Sequence, residues 1–149
     1  MKVWIAKEYP DAIIPSRAHP QDAGWDIFSY KDYEFEPFSK QVVQIGIRIV
    51  VESGYYYTFA SRSGLAFDED FVVSHHNVMD AGYTGNCGVL MWNRSSKKKA
   101  LLKSHRFCQV IFHKVPSVEM LVMEDLNDLP ALYGSIKGRQ SEGFGSTGD

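Results

Sequence analysis

The chain has 149 residues, 44% of them hydrophobic, which is typical of one domain with a substantial core and excludes a chain disordered throughout. Its formal net charge of −2 at pH 7 argues against a protein that coats nucleic acid, because such proteins normally carry a basic excess. No stretch approaches the roughly 18 apolar residues of a membrane span, so we expect a soluble, cytoplasmic protein with no membrane partner.

Short apolar runs rich in β-branched and aromatic residues predict strands along most of the chain. The clearest run is 42–51, in which apolar and polar residues alternate with the period of two that a strand requires. Residues 71–81 and 86–93 are joined by Gly-Tyr-Thr-Gly, which predicts a hairpin, and residues 63–70 predict one short helical turn. The other predicted strands are 55–60, 106–115 and 118–123. This pattern indicates an all-β sandwich, barrel or jelly roll.

Four short stretches carry residues suited to chemistry, although each also has a purely structural interpretation. Residues 22–28 contain two acids that could approach a metal, but a turn is the simpler interpretation. Arg62, Ser63 and Gly64 begin the predicted helical turn, where anions are favoured, yet a solvated turn would use the same residues. Asp80 ends an apolar run and is either a turn cap or a general base. Gln109 lies on the face opposite Cys108, where a neutral amide is usually a hydrogen-bonded strand residue.

The last residues, 142–149, contain a glycine pattern of the G-x-G-x-x-G type. A dinucleotide-binding turn needs a strand before it and a helix after it, and neither flank fits. We therefore expect residues 138–149 to form a flexible arm that follows a β-rich domain of residues 1–137. Its backbone N–H and hydroxyl groups could hold phosphate oxygens.

Two adjacent histidines, His75 and His76, point to opposite faces if they lie on a strand, so we expect no zinc site there. The cysteines Cys87 and Cys108 lack metal-type spacing and fit free thiols in a reducing compartment.

Taken in order, the stretches DAGWD, SRSG, NVMDAGYTG, RFCQ and GRQSEGFGSTG run from residue 22 to residue 148. Their order and spacing resemble the five motifs of the homotrimeric deoxyuridine triphosphatase (dUTPase) family. The resemblance implies a jelly-roll-like subunit, a symmetric trimer with active sites at the subunit interfaces, and Mg²⁺ as cofactor. It also implies hydrolysis of dUTP to dUMP and pyrophosphate, which keeps uracil out of DNA and supplies dUMP for thymidylate synthesis.

The resemblance assigns roles by position. Asp80 matches the acid that activates water for attack on the α-phosphorus, and Tyr83 matches the tyrosine that packs on the deoxyribose and excludes a 2′-hydroxyl. Asp26 matches an acid near the magnesium that acts through water, with no direct protein ligand to the metal. The arm would close over the substrate, with Phe144 stacked on uracil. The residues matched to substrate binding, besides Tyr83, are Arg62, Ser63, Gly64, Asn77, Val78, Met79, Gly88, Gln109, Arg139, Phe144, Gly145, Ser146 and Thr147.

Several positions differ from the residues that are usual in the family's motifs. Gly82 and Thr84 stand where Asp and Arg are frequent, which reduces the local charge network around the hairpin. The 29 residues between Gln109 and Arg139 make a longer segment than usual, which leaves open which subunit's site the arm reaches.

The sequence leaves two alternative functions open. A dCTP deaminase shares the fold, but its Arg-Ser-Ser tripeptide occurs here only in 93–99, a presumed turn between strands. A dUTP-responsive regulatory protein could use the same trimer and arm to bind a protein partner.

Overall fold

The computed structural model describes residues 1–75, 78–122 and 124, and it contains eleven strands and one short helix in that part of the chain. None of the described helices is long and apolar enough to cross a membrane. The elements are β1 (Val3–Lys7), β2 (Gly24–Phe28), β3 (Tyr33–Phe35), β4 (Lys40–Gln44), β5 (Ile47–Val51), β6 (Tyr55–Ser61), α1 (Ser63–Glu69), β7 (Phe71–Val73), β8 (Val78–Asp80), β9 (Gly88–Asn93), β10 (Lys99–Leu101) and β11 (Arg106–Lys114).

The strands form antiparallel sheets, as the all-β prediction requires. A four-stranded sheet has the order β2-β11-β6-β8, and a three-stranded sheet has the order β4-β9-β7. Two further pairs, β1-β5 and β10-β3, complete the described architecture. Because the chain keeps returning between these sheets, most contacts join residues distant in sequence.

One face of the four-stranded sheet packs into the hydrophobic core. Tyr57, Phe59 and Val110 alternate with outward-facing residues and are almost completely buried. They share one cluster with Val89 and Met91 from the three-stranded sheet. Each such buried side chain contributes about 1.5–3 kcal/mol to folding, which fixes the face that each strand turns inward.

The opposite face of this sheet carries polar residues. Asp26 pairs with Gln109 between β2 and β11, and Gln109 pairs with Ala60 on β6. At the other end of β6, Tyr56 pairs with Asp80 on β8. Since directly paired residues point to the same side, Asp26, Gln109 and Asp80 share the outer face.

Two strand predictions are wrong in their boundaries, and one predicted turn is a strand. The run 42–51 is interrupted at Gly46, whose φ of +72° favours glycine, so it forms β4 and β5 rather than one strand. Residues 22–28, interpreted as a turn, contain the whole of β2. The run 71–81 forms two strands, β7 and β8.

These two strands pair in different sheets, so the predicted hairpin between 71–81 and 86–93 is only partly present. β7 pairs with β9, as a hairpin requires, whereas β8 pairs with β6. The predictions for 55–60, 63–70 and 106–115 are confirmed as β6, α1 and β11.

The chain divides into two compact units, Met1–Pro116 and Ser117–Asp149. All eleven strands and α1 belong to the first unit. In the second unit, the described residues 117–122 contain no strand, so the strand predicted at 118–123 is not present there. The predicted boundary between residues 137 and 138 lies outside the described residues.

Candidate active site

The predicted site residues that lie in the described part of the chain line two clefts. The first, here the hairpin cleft, has a volume of about 500 Å³ and is lined by His75, Val78, Met79, Asp80, Tyr83, Asn86 and Gly88. The second, here the arginine cleft, has a volume of about 450 Å³ and is lined by Ala18, Asp22, Ala23, Gly24, Asp26, Arg62, Ser63, Gly64, Arg106, Gln109 and Ile111.

The hairpin cleft is shaped by a tight loop after β8. The Tyr83 backbone N–H donates to the Asp80 carbonyl over 3.0 Å, which closes a turn. The Tyr83 hydroxyl then donates to the Asn86 carbonyl over 2.8 Å, so the ring lies across the loop. A Cβ at Gly85 would come within 2.6 Å of that hydroxyl, so a larger residue at this position would displace the ring. The result is a curled loop that presents a partly exposed aromatic ring to the cleft.

Asp80 ends β8 with its side chain at the mouth of the same cleft. It is exposed, and no hydrogen bond or ion pair joins its carboxylate to another side chain or backbone group of the described residues. An exposed carboxylate that lines a cleft can accept a proton from a bound water. The geometry therefore suits the base that the sequence predicts at this position.

Gly88 contributes backbone to the wall of the hairpin cleft. It pairs with Gln44 of β4, and a Cβ there would come within 2.5 Å of a Val42 methyl group. Because Gly88 has no side chain of its own, the Val42 side chain packs directly against its backbone, and the glycine itself forms part of the cleft wall. Val78 and Met79 add apolar surface to the same cleft.

In the arginine cleft, one carboxylate holds two guanidinium groups. Arg62 Nε lies 3.1 Å from Asp26 Oδ1, and Arg106 Nη1 lies 3.0 Å from Asp26 Oδ2. Arg62 also donates to the Arg106 carbonyl over 3.4 Å. The Asp26 side chain is only 17% exposed, so these charge-assisted bonds are poorly screened. The remaining guanidinium N–H groups are suited to binding phosphate oxygens.

Gln109 adds a neutral amide to this cleft. Its Nε2 donates to the Ser61 carbonyl over 3.2 Å, which fixes the amide on the outer face of the sheet. A Cβ at Gly24 would lie 2.0 Å from Gln109 Oε1, so glycine makes room for the amide. Ser63 and Gly64 are exposed at the start of α1, and Arg62 is its N-cap residue.

The described residues do not form a direct magnesium site. They contain no group of three or more His, Cys, Asp or Glu side chains that could hold a metal ion. Both carboxylate oxygens of Asp26 are engaged by arginines.

The sequence did not single out Arg106, although it precedes Gln109 by three residues. On a regular strand, residues three apart point to opposite faces. The pairing of β11 with β2 shifts between Arg106 and Cys108, and this irregularity brings both side chains into one cleft. His75 and Asn86, which line the hairpin cleft, were likewise not predicted as site residues.

The predicted site residues thus separate into two groups, and some lie outside the described part of the chain. The arginine cleft contains Arg62, Ser63, Gly64, Gln109 and Asp26. The hairpin cleft contains Val78, Met79, Asp80, Tyr83 and Gly88. The predicted site residues that lie outside the described residues are Asn77, Arg139, Phe144, Gly145, Ser146 and Thr147.

Comparison with known proteins shows the family to which this chain belongs. The family model for dUTPase matches residues 10–148, which is nearly the whole chain. This chain belongs to the dUTPase family. It is 34% identical to the deoxyuridine 5′-triphosphate nucleotidohydrolase of Fowlpox virus (strain NVSL), over 99% of this chain and 97% of that protein. It is 36% identical to the Mus musculus protein of the same name, over 92% of this chain and 79% of that protein.

Solved dUTPase structures share the fold. A mutant of the Staphylococcus bacteriophage 80alpha dUTPase with dUpNHpp has a TM-score of 0.85 at 23% identity, over 99% of both chains. A mutant dUTPase from phage phi11 of S. aureus, which coordinates a structural Mg(II) ion, has a TM-score of 0.77 at 22% identity, over 84% of this chain and 98% of that chain. The jelly-roll-like dUTPase fold expected from the sequence is therefore confirmed.

Proposed function

We propose that this chain hydrolyses dUTP to dUMP and pyrophosphate, the reaction of a dUTP diphosphatase. Membership of the dUTPase family supports the reaction, and the relatives named above are nucleotidohydrolases of this substrate. The observation that carries the proposal is the exposed Asp80 carboxylate, which lines one cleft together with Tyr83 and Gly88.

In the proposed reaction, Asp80 accepts a proton from a water molecule whose oxygen attacks the α-phosphorus. The bond from the α-phosphorus to the bridging oxygen breaks, and pyrophosphate leaves. Tyr83 packs on the deoxyribose and leaves no room for a 2′-hydroxyl. Uracil would bind the backbone of Asn77, Val78, Met79 and Gly88, where close packing excludes a 5-methyl group.

The arginine cleft would bind the phosphates. Arg62 and Arg106 are cations whose positions Asp26 fixes, and Gln109, Ser63 and Gly64 add neutral donors. Magnesium would enter as part of the nucleotide complex, where it offsets phosphate charge. Because the arginines are already oriented before substrate arrives, they can stabilise negative charge without reorganising at the moment of reaction.

The separation of the two clefts supports a site shared between subunits. Asp80 pairs with Tyr56 and Gln109 pairs with Ala60, four residues further along β6 and on its other side. This offset corresponds to roughly 17 Å within one chain, from the rise per residue and the spacing of strands. A base must lie within about 3 Å of the water that it activates at the α-phosphorus, and the phosphate-binding residues must contact the same nucleotide. Two clefts of one chain that lie this far apart do not meet both requirements. We therefore propose a homotrimer in which each site combines clefts from neighbouring subunits.

The C-terminal arm would complete each site. Arg139, Gly145, Ser146 and Thr147 would bind phosphate oxygens, and Phe144 would stack on uracil. Ordering such an arm costs conformational entropy, so closure would occur only when the phosphates are bound. The reaction would keep uracil out of DNA and supply dUMP in the cytoplasm. Neither regulatory binding nor deamination is favoured by a particular contact in either cleft.

The proposal is tested by pyrophosphate release from dUTP, dTTP, UTP and dCTP with Mg²⁺. We expect turnover of dUTP alone. Turnover of UTP would contradict the role of Tyr83, and turnover of dTTP would contradict the close fit at the hairpin. Ultraviolet detection of dUTP formed from dCTP, without pyrophosphate release, would instead indicate a deaminase.

A further inference from the structure

The loop that carries Tyr83 is tied to the rest of the subunit by Arg48. Arg48 Nη1 donates to the Thr84 carbonyl over 3.3 Å. Within the described residues, this is the one hydrogen bond that joins residues 81–86 to a residue outside 80–87. The remaining hydrogen bonds of this loop are internal, including the bond from Tyr83 to Asn86. Arg48 therefore holds the loop at the residue next to Tyr83.

Arg48 can do this because the surrounding strands fix its guanidinium group. On β5, Arg48 lies between the buried Ile47 and Ile49, so its side chain points outward. Arg48 Nε lies 2.8 Å from Glu8 Oε1, and the Glu8 side chain is only 13% exposed. The Glu8 backbone N–H donates to the Gly46 carbonyl over 2.9 Å, which anchors the acid in turn. The planar guanidinium thus spans an acid at the end of β1 and a carbonyl in the loop.

We propose that Arg48 is a positioning residue that sets Tyr83 for the selection of deoxyribose over ribose. This inference rests on the proposed function, in which the Tyr83 ring excludes the 2′-hydroxyl. Thr84 is uncharged. The positive charge beside this part of the loop belongs to Arg48 on β5. Without that contact, the loop loses its one external hydrogen bond at the residue adjacent to the ring. Tyr83 can then move away from the sugar, and a ribonucleotide fits more easily.

The test compares kcat/KM for dUTP and UTP in wild type, Arg48→Ala and Arg48→Lys. We expect Arg48→Ala to lower the dUTP-to-UTP ratio about tenfold, in the range by which a lost positioning contact changes specificity. Arg48→Lys should give an intermediate ratio, because a lysine can pair with Glu8 but cannot form the two-sided contact. An unchanged ratio in Arg48→Ala would overturn the inference.

Lys98→Ala is the matched control. Lys98 pairs with Glu34 and Glu36 on the surface and lines neither cleft. It should leave the ratio within about twofold of wild type, since exposed pairs contribute little. The same fall in both variants would also overturn the inference, because the effect would then follow any lost surface ion pair.

A binding measurement separates this inference from the proposed function. Calorimetric titration with dUMP and UMP reports sugar selection even in a chain that shows no turnover. Absence of dUTP turnover in wild type would contradict the proposed function alone. Loss of the preference for dUMP in Arg48→Ala would support the role of Arg48, and an intact preference would overturn it.

Discussion

The Asp80 carboxylate and the Gln109 amide lie on the same outer face of one sheet, at opposite ends of the strand between them. Their register places them roughly 17 Å apart, as four residues along a strand and two strand spacings require. The proposed function gives both residues a part in one reaction, so this separation supports the proposal of a site built from two chains.

Complementation between inactive chains tests the shared site. Asp80→Asn should bind dUpNHpp but lose about 10²–10⁴-fold in turnover, because the general base is removed. A chain with Arg62→Ala and Arg106→Ala should also be inactive, because phosphate binding is lost. Co-expressed with different tags and purified as mixed trimers, the two should regain about one working site in three, as cyclic symmetry requires. Mixed trimers as inactive as their parents would contradict a site shared between subunits.

Removing the Asp26 carboxylate should disorganise the arginine cleft. Asp26→Asn leaves Arg62 and Arg106 close together without their common anion. We expect an approximately tenfold higher KM for dUTP and about 1–3 kcal/mol lower free energy of unfolding, the range for a lost charge-assisted bond. Steady-state kinetics and urea unfolding measure these effects. Asp22→Asn is the control, because Asp22 lines the same cleft and accepts a bond from the His19 N–H, which an amide oxygen can also do. Equal effects in both variants would show that general charge, and not arginine placement, is responsible.

A methyl group at Gly85 should displace Tyr83. A Cβ there meets the tyrosine hydroxyl at 2.6 Å, whereas a Cβ at Gly82 in the same loop meets nothing within 4 Å. We expect Gly85→Ala to lower kcat/KM for dUTP about tenfold, because a small displacement of a positioning group is costly. Gly82→Ala should remain near the wild-type value. Similar losses in both variants would indicate that loop flexibility matters rather than the position of the ring.

Deletion of residues 143–149 tests the arm. We expect the shortened chain to keep its fold and assembly but to lose nearly all dUTP hydrolysis, because the closing residues are gone. Circular dichroism and size-exclusion chromatography check the first expectation, and pyrophosphate release checks the second. A shortened protein that hydrolyses dUTP normally would remove the arm from the proposed mechanism.

Burial raises the pKa of the Cys108 thiol well above its ordinary value. The unfolded thiol ionises near pH 8.5, while the folded thiol stays protonated, so this contribution to stability is complete below about pH 8.5 and is lost as pH rises. Burial also raises the pKa of the Tyr57 hydroxyl, which acts in the same direction at higher pH. The free energy of unfolding in urea should therefore fall as the pH rises above about 8.5. Cys108→Ala should reduce this fall, and an identical pH dependence in the variant would contradict the assignment.

The sequence determined the family and the class of fold. Aromatic and β-branched residues predicted β6 and β11, because such side chains pack well on the half-buried surface of a sheet. The five ordered motifs identified the family and proposed Asp80 as the base. Residue type alone was sufficient to identify the family, since each motif is a short run of neighbours, and the role of Asp80 stays a prediction.

Only the tertiary structure decided how these residues meet. The irregular pairing near Arg106 turns it toward Asp26, and the positive φ of Gly46 divides one apparent strand into two. Arg48 meets Thr84 across 36 positions of sequence. Strand register, strand irregularities and such distant contacts depend on which strands lie side by side, and that pairing is set by burial across the whole chain rather than by local residue preferences.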